Sequence, residues 1–364
     1  MLQRFFYKMG LVGFVVCPLV LIGAWIYYLF FVSALDKNST QTIAFTVGDS
    51  WSSKKIGEEL EAQGVLRSWA SFYYLYRQMK DEVGGELSIA AGEYELSPAM
   101  TPEQVMQKMT SAERVQYTIN IAPGATVPEV VSSIAATKLA EEKELQDLLR
   151  TPVVLTRAGI PAATPEGYFL EGTYVFVKPI TGERIISKII EQSKAALEQK
   201  VENWQARAAK LGFRPYEVLV LASLIEKETS VDSERPKIAS ALHNRIKLEM
   251  PLESKAALAY GLEKPIGALT QDDVSSSTQY NTFGSNKGLP PTPICSPGYE
   301  SIKAVLYPEV TDYIYWVETP GQTHEFAANI RQYRALVSEN AAAAEAARGG
   351  ARDVTPEDLE ILGE

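Results

Sequence analysis

An uncharged apolar run near the N-terminus constrains this chain more than any other feature of its sequence. Residues 9–35 contain no Asp, Glu, Lys or Arg and consist mostly of Leu, Val, Ile, Phe, Tyr and Trp. A helix of this length is long enough to cross a hydrocarbon core of about 30 Å. We therefore expect a single transmembrane helix over residues 9–35, preceded by a short tail of residues 1–8.

The charges that flank this run predict its orientation. Arg4 and Lys8 precede it, whereas Asp36 and Lys37 follow it. By the positive-inside rule, the N-terminus lies in the cytoplasm and the chain after about residue 36 lies outside. A cleaved signal peptide is the alternative, but its apolar region is shorter, about 7 to 15 residues. The length of the run favours a retained anchor.

Composition limits the partners and cofactors of the chain. The 364 residues are 46% hydrophobic, enough for a sizeable core in two or three domains. Acidic residues outnumber basic ones by 45 to 35, which argues against nucleic acid as a partner. Two cysteines, Cys17 and Cys295, and two histidines, His243 and His324, are too few for a disulfide framework or a typical metal cluster. We expect no metal and no cofactor.

Hydrophobic periodicity predicts an α+β chain. Strand and helix patterns alternate from residue 42 to residue 140, and Thr101 and Gln104 have the spacing of a capping box. Two strand, Gly-turn, helix units in this region indicate a small α/β module or a weak duplication; the alternative is two ordinary turns. Further on, a strand is predicted over 168–176 and one long helix over 184–211.

A helix beginning at Pro215 carries the residue that most needs an explanation. Three apolar residues and Glu228 lie at i, i+3, i+4 and i+7 on one helical face, namely Leu221, Leu224, Ile225 and Glu228. A carboxyl on an apolar face loses hydration, which raises its pKa towards the value that a general acid needs. The alternative is a solvated helix end, in which Glu226 and Lys227 are also exposed.

The remainder of the chain is predicted to be mixed. Asp232 or Ser233 is expected to cap the next helix. Irregular, polar stretches between residues 280 and 298 are typical of binding loops. Residues 313–318 and 324–327 are expected to form a hairpin, followed by an Ala-rich helix over 340–348 and a disordered acidic tail.

A set of motifs in a fixed order identifies a family. These motifs are residues 221–229 (LASLIEKET), Glu234-Arg235, Asn244-Arg245, Tyr260-Gly261, Tyr280-Asn281-Thr282, 288–291 (GLPP), Pro297-Gly298, and His324 followed by Phe326. Together with the N-terminal apolar run, they resemble the YceG-like family, the membrane-anchored endolytic murein transglycosylases of bacteria. The resemblance implies cleavage of the β-1,4 bond between N-acetylmuramic acid and N-acetylglucosamine, with a 1,6-anhydro end left behind. It implies that Glu228 is the catalytic residue.

The same resemblance implies an organisation and a location. Residues 36–112 correspond to a LysM-like module, 113–338 to a YceG-like catalytic domain of mixed α+β structure, and 339–364 to a C-terminal helix and acidic tail. The protein is then a single-pass protein of the bacterial inner membrane, with most of the chain in the periplasm. Its expected partners are peptidoglycan glycan strands and cell-wall synthases.

Weaker assignments cover the other motif residues, which are Glu226, Tyr280, Asn281, Thr282, Arg245 and His324. The loop residues Tyr280, Asn281 and Thr282 either bind acetamido and hydroxyl groups of the glycan or satisfy the backbone of their own loop. Arg245 either pairs with a substrate carboxylate or forms a structural salt bridge. His324 lies at the site or makes a structural hydrogen bond, and Glu226 is a substrate contact or a solvated or salt-bridged neighbour.

Three departures from the family pattern keep a second function open. Residues 252–257 read LESKAA where the family usually has LQSDPT, residues 168–174 lack the usual Pro-Asp, and Tyr333 replaces a common histidine. Lys255, if it lies close to Glu228, favours the carboxylate and lowers its pKa. The alternative function is therefore a catalytically weakened peptidoglycan-binding scaffold of the wall-synthesis machinery.

Overall fold

The computed structural model describes residues 16–161 and 164–347, which form an α+β structure as the sequence predicts. The chain divides into two compact units. One contains the residues up to Tyr117 together with Val175–Thr181, and the other contains Thr118–Tyr174 and the residues from Gly182 onwards. The domain boundaries expected from the sequence, 36–112 and 113–338, remain predictions.

The described part of the N-terminal apolar run is helical. Residues 16–27 form helix α1, which continues into a π-helical turn, Tyr28–Val32, before Ser33 becomes extended. Among the residues that the structure describes, no helix combines the length and the apolar character needed to cross a membrane. Residues 1–8 and 9–15 lie outside the described residues, and the anchor over 9–35 remains a prediction.

The first unit has a β-α-α-β order followed by one more helix. Its elements are β1 (Ile43–Val47), α2 (Ser53–Ala62), α3 (Trp69–Glu82), β2 (Gly92–Leu96) and α4 (Pro102–Thr110). The strands pair antiparallel, with Phe45 opposite Tyr94, and both side chains are fully buried. Helices α2, α3 and α4 contribute Ile56, Phe72 and Met106 to the same core. This unit therefore has a hydrophobic core of its own.

Local capping chemistry explains where these helices begin. The Ser68 hydroxyl accepts a hydrogen bond from the Ala70 N–H at the start of α3. At α4 the capping box is confirmed, since Thr101 Oγ1 accepts from Gln104 N at 3.2 Å and Gln104 Oε1 accepts from Thr101 N at 2.9 Å. These bonds satisfy backbone donors that the first helical turn leaves free.

The second unit is mostly helical. Strand β3 (Tyr117–Ile121) pairs with β4 (Gly172–Phe176), and the division between the two units falls within these strands. Three helices lie between these two strands, namely α5 (Val127–Ala136), α6 (Glu142–Leu149) and α7 (Pro152–Arg157). The helices after β4 are α8 (Gly182–Lys200), α9 (Trp204–Lys210), α10 (Pro215–Glu228), α11 (Arg235–Lys247), α12 (Lys255–Gly261), α13 (Tyr299–Leu306) and α14 (Ile330–Ala347). Two short 3-10 helices, Ile266–Ala268 and Gln271–Ser275, lie between α12 and α13. Strands β5 (Tyr315–Glu318) and β6 (His324–Ala327) form the predicted hairpin.

The single long helix predicted over 184–211 is wrong, because the chain forms α8 and α9 instead. Asn203 lies between them in the left-handed region, with φ +55°. That conformation interrupts a right-handed helix, and asparagine tolerates it better than most residues. The break allows Trp204 to turn inwards, where it is 7% exposed and its Nε1 donates to Glu198.

Helices α11 to α14 also differ from the sequence predictions. Helices α12 and α13 lie in segments to which no helix was assigned, because neither is long enough to show a clear period. Helix α11 has Glu234 rather than Asp232 or Ser233 at its N-cap, and the Asp232 carboxylate accepts from Arg235 Nε instead. Helix α14 begins at Ile330 rather than near residue 340. The acidic tail after residue 347 lies outside the described residues.

Helix α10 forms the centre of the second unit. Pro215 begins it, as predicted, and every residue from Val218 to Ile225 is buried. Helices α9, α11, α12 and α13 all pack against it. Its C-terminal turn, with Glu226 and Glu228, is thereby placed among side chains from several distant segments.

Candidate active site

Glu228 is the last residue of α10 and receives two neutral hydrogen-bond donors. Ser254 Oγ donates to its Oε1 at 3.2 Å, and Trp316 Nε1 donates to its Oε2 at 3.3 Å. Ser254 is the N-cap residue of α12, and Trp316 lies in β5. The carboxyl group is therefore held by contacts at both oxygens, from segments 26 and 88 residues away in sequence.

The surroundings of Glu228 favour its protonated form. Burial against the apolar end of α10 raises the pKa of this carboxyl, because the charged form loses its hydration. The hydrogen bonds from Trp316 and Ser254 and the charges of His324 and Lys255 lower the pKa, but burial outweighs them. Lys255 thus acts in the direction predicted from the sequence, as one of several smaller opposing effects. A raised pKa suits a group that must first give away a proton.

Thr282 contributes to this arrangement through Ser254. The Ser254 N–H donates to Thr282 Oγ1 at 2.9 Å, and the Glu253 N–H donates to the Thr282 carbonyl at 2.9 Å. The Ser254 hydroxyl also accepts from the Ala257 N–H at 3.3 Å. These bonds hold the Ser254 hydroxyl in place, so that its proton points to Glu228.

The neighbouring motif residues Asn281 and Tyr280 form hydrogen bonds with residues close to them in the sequence. Asn281 Nδ2 donates to the carbonyls of Val274 and Ser276 at 2.8 Å, and its Oδ1 accepts from the Phe283 N–H at 3.0 Å. These contacts match the alternative in which the loop satisfies its own backbone. The Tyr280 hydroxyl bonds to Thr292 at 2.7 Å, and its ring packs edge-on against Tyr260.

Arg245 packs against the ring of Trp316 and is held by several hydrogen bonds. Its guanidinium carbon lies 5.3 Å from the centroid of the Trp316 ring. Nε donates to the Ile314 carbonyl at 2.6 Å, and Nη1 donates to the Pro251 carbonyl at 2.9 Å and to Glu253 at 2.7 Å. The side chain is 4% exposed. Arg245 therefore forms the helix-to-loop salt bridge that the sequence left as one alternative, and it fixes the strand that carries Trp316.

His324 is bonded to Glu234 rather than to Glu228. Its backbone N–H and its Nδ1 each lie 2.8 Å from a Glu234 carboxylate oxygen, and the Thr229 hydroxyl donates to the same carboxylate at 2.8 Å. Burial by itself raises the pKa of Glu234, but these hydrogen bonds together lower it. This network ties the hairpin to the end of α10.

Glu226 forms a buried ion pair. Arg235 donates to both of its oxygens, at 3.1 and 3.3 Å, and the Ser301 hydroxyl and the Gly298 N–H donate to Oε2 at 2.7 and 2.9 Å. Its side chain is 7% exposed. Of the alternatives drawn from the sequence, the structure places Glu226 as a salt-bridged neighbour.

Glu228 and three neighbouring glutamates differ in their partners. Glu226 binds Arg235, Glu234 binds His324 and Glu253 binds Arg245, so each of the three contacts a basic side chain. Glu228 is hydrogen-bonded to neutral donors alone within the described part of the chain. Among these four glutamates, Glu228 is therefore the one that can lose and regain a proton without breaking an ion pair.

Sequence reasoning missed Ser254, Trp316 and Glu234 as parts of this site. Ser254 lies in residues 252–257, the stretch that aligns with LQSDPT of the family, and Glu234 belongs to the Glu234-Arg235 motif. The sequence therefore contained a signal for both residues. Trp316 had none beyond its place in a predicted strand. Periodicity describes one element at a time and does not report which distant elements meet.

Comparisons with known proteins agree with the motif pattern. The model of the YceG-like family matches residues 45–339. A protein of Bacillus subtilis (strain 168) named endolytic murein transglycosylase is 29% identical over 334 residues, covering 86% of this chain and 89% of that protein. A protein of the same name from Streptococcus pneumoniae serotype 2 (strain D39) is 24% identical, covering 81% of this chain and 57% of that longer protein.

A solved structure provides a second kind of comparison. The crystal structure of a YceG-like protein from Listeria monocytogenes aligns with a TM-score of 0.55 and 26% sequence identity. The alignment covers 82% of this chain and all of the Listeria chain. Since the family model also spans both structural units and most of the sequence, this chain belongs to the YceG-like family.

Proposed function

We propose that this protein is an endolytic lytic transglycosylase that cleaves the glycan strands of peptidoglycan, with Glu228 as its catalytic acid and base. The named relatives from Bacillus and Streptococcus support the substrate and the reaction class. The observation that carries the assignment to Glu228 is its set of partners. It is a partly buried carboxyl with a raised pKa and neutral donors, beside three carboxylates bound to basic side chains.

The first step requires a protonated Glu228. Its carboxyl proton passes to the glycosidic oxygen, the bond between that oxygen and C1 of the muramoyl residue breaks, and the bonding electrons stay with the leaving oxygen. Positive charge develops at C1, where the acetamido oxygen of the substrate itself supplies electron density. The Glu228 carboxylate left behind accepts hydrogen bonds from Ser254 and Trp316, which stabilise it in this state.

The second step returns the proton to Glu228. The carboxylate takes the proton of the muramoyl 6-hydroxyl while that oxygen bonds to C1, so a 1,6-anhydro ring closes and the carboxyl is restored. No water is consumed. A hydrolytic glycosidase needs a second carboxyl about 5 to 9.5 Å from the first. Glu226, Glu234 and Glu253 are each bound to a basic side chain, which suits a mechanism that uses the Glu228 carboxyl twice.

The test is product analysis of purified peptidoglycan incubated with the full-length chain in detergent and in ¹⁸O-labelled water. We expect new internal muramoyl ends that are lighter by one water than reducing ends and contain no ¹⁸O. Labelled reducing ends would instead indicate a hydrolase. Wall binding without any cleavage, over a range of pH, would favour the scaffold alternative.

The proposal includes a location and a wall-binding module. A single transmembrane helix over residues 9–35 would anchor the protein in the inner membrane and keep the rest in the periplasm, where nascent glycan strands and cell-wall synthases are found. The lack of charge over those 27 residues supports this arrangement. The β-α-α-β order of the first unit supports a LysM-like module. In this location, the role of the protein would be to terminate or trim new glycan strands.

Two measurements test these points separately. Protease added to spheroplasts is expected to digest the chain beyond residue 36 and to leave a membrane-embedded fragment; complete protection would contradict the orientation. The full-length chain is expected to sediment with purified wall sacculi, and substitutions confined to the first unit should reduce that binding. Unchanged binding would contradict the role of the LysM-like module.

A further inference from the structure

A cavity of about 390 Å³ opens at the surface of the second unit, where α8, α9 and α13 meet. Its lining residues come from the end of α8 and the turn after it (200–203), from α9 (206, 207 and 210) and from the end of α13 (303 and 307). The volume is within the range of small-ligand sites in proteins, about 300 to 1,000 Å³. We call this feature the basic cavity. Within the described residues, none of its lining residues is hydrogen-bonded to Glu228 or to the two donors of that carboxyl.

The lining of the basic cavity differs in charge from the chain as a whole. Four of its nine residues are basic, namely Lys200, Arg207, Lys210 and Lys303, and one is acidic, Glu202. Four positive charges less one negative charge give the lining a formal charge of +3, whereas the whole chain carries −10. Like charges around one concave surface repel each other, and an anion that binds between them offsets this repulsion. The composition therefore indicates a ligand with more than one negative charge.

Arg207 is held in place by contacts that leave its charge unpaired. Its Nε donates to the Leu306 carbonyl at 2.9 Å, across 99 residues of sequence, and its guanidinium carbon lies 5.0 Å from the centroid of the Tyr307 ring. It forms no ion pair with a described carboxylate, and its two Nη groups donate to no described residue. The free part of the guanidinium is a fixed fork of donors, which matches the oxygens of a phosphate group.

The three lysines of the basic cavity also lack strong ionic partners in the described part of the chain. Lys200 Nζ lies 3.9 Å from the centroid of the Tyr299 ring, a contact that does not neutralise its charge. Lys210, the last residue of α9, forms no ion pair with a described residue. Lys303 Nζ lies 3.7 Å from Glu300, but both side chains are more than half exposed, and such pairs contribute little. Each ammonium group is therefore available to an anion.

From these observations, we infer that the basic cavity is a binding site for the phosphate or diphosphate group of a ligand. A phosphate monoester carries about 1.5 to 2 negative charges at pH 7 and three strong acceptor oxygens, whereas a carboxylate carries one charge. A phosphate group can therefore contact the arginine fork and the lysines together. Two sources share this chemistry, a soluble phosphate ester and the headgroup of a phospholipid. The inference does not rest on the proposed function, and the motif resemblance included none of these residues.

The test is isothermal titration calorimetry of the full-length chain in a neutral detergent at low salt. The two probes are inorganic pyrophosphate and glycerophosphoglycerol, which is the headgroup of an anionic phospholipid without its acyl chains. We expect binding of at least one probe, with an affinity that falls as NaCl is added. The probe that binds more tightly identifies the source, a soluble phosphate or a lipid headgroup. Absence of binding by both probes would overturn the site.

Two substitutions test whether the anion binds in the basic cavity. Arg207→Lys keeps the charge but removes the fork, and it should weaken the binding about ten-fold. Lys210→Gln removes one exposed charge and should weaken the binding about three-fold. Lys247→Gln is the matched control, because Lys247 is also an exposed lysine that ends a helix without a described ion pair, but it does not line the cavity. This variant should bind the probe like the unmodified chain.

Three further results would overturn the inference. Equal weakening in Lys210→Gln and Lys247→Gln would mean that net charge alone attracts the anion. Unchanged affinity in both cavity variants would place the anion elsewhere. Lower melting temperatures in the cavity variants, with unchanged affinity, would mean that these cations only stabilise helix ends. Because the titration contains no wall material, its outcome and that of the product analysis on peptidoglycan can fail separately.

Discussion

Replacing Trp316 with phenylalanine isolates one of the two donors that act on Glu228. The indole Nε1 is 3.3 Å from Oε2, and phenylalanine removes that N–H but keeps an aromatic ring against Arg245. A hydrogen bond to a charged group contributes about 1.5 to 3 kcal/mol, and a bond of this length belongs at the lower end. Because the bond favours the carboxylate, its loss should raise the Glu228 pKa by about one unit.

The assay is the pH dependence of kcat/KM for release of anhydro fragments. Glu228 must begin the reaction protonated, so activity falls as the pH rises through its pKa. A pKa raised by the substitution extends the protonated range, and the alkaline limb should move upwards by about one pH unit. Trp204→Phe is the control, because it removes an indole donor to Glu198 rather than to Glu228.

The reasoning is refuted by either of two results. One is an alkaline limb that stays in place in Trp316→Phe although the folded protein is intact. The other is an equal displacement in Trp204→Phe, which would mean that the limb does not report the Glu228 carboxyl.

Three stability predictions follow from the buried charges. Glu226→Gln leaves Arg235 without its buried partner and should lower the free energy of unfolding by about 3 kcal/mol in urea titrations; an unchanged value would contradict the ion pair. Arg245→Met should cost about 3 kcal/mol in the same assay, since the Ile314 and Pro251 carbonyls lose their donor, and no loss would contradict its structural role. Burial raises the pKa of Glu166 from 4.5 to about 7, so the folded state keeps a proton that the unfolded state loses. Its contribution to stability should fall by up to about 3 kcal/mol as the pH rises from about 4.5 to about 7. Glu166→Gln should therefore stabilise the protein at pH 8 relative to its parent but not at pH 4, and a gain independent of pH would contradict this.

The starts of some helices could be predicted from the sequence, because they depend on local chemistry. Thr101 and Gln104 form the predicted capping box, and Pro215 begins the central helix. Such features depend on residues within a few positions of each other, and their partners are visible in the sequence. The helical phase of Glu228 was informative for the same reason, because it placed a carboxyl beside buried leucines.

The missed features depend on long-range contacts or on single backbone conformations. Trp316 reaches Glu228 across 88 residues, and no periodic pattern connects the two. The left-handed Asn203 breaks a helical pattern that otherwise continues through residues 184–211. Seven-residue α12 is too short for a periodic signal, although its N-cap, Ser254, donates a hydrogen bond to the Glu228 carboxyl.

One departure from the family pattern, Lys255, affects the pKa of Glu228. Lys255 follows the Ser254 cap, and its charge lowers the pKa of Glu228 by less than burial raises it. The lysine thus leaves the carboxyl with a raised pKa. This balance favours an active enzyme over the scaffold alternative, and Lys255→Ala should raise the Glu228 pKa further and move the alkaline limb of the same pH profile upwards. A limb moved downwards would contradict that sign.

The single-carboxyl mechanism is tested most directly by comparing Glu228→Gln with Glu226→Gln on purified peptidoglycan, by mass spectrometry of the products. Both full-length variants are assayed at a temperature at which they are folded and bind the wall. We predict internal 1,6-anhydromuramoyl ends from Glu226→Gln and none from Glu228→Gln. Anhydro ends from Glu228→Gln at the rate of the unmodified chain would contradict the mechanism and transfer the chemistry to another carboxyl.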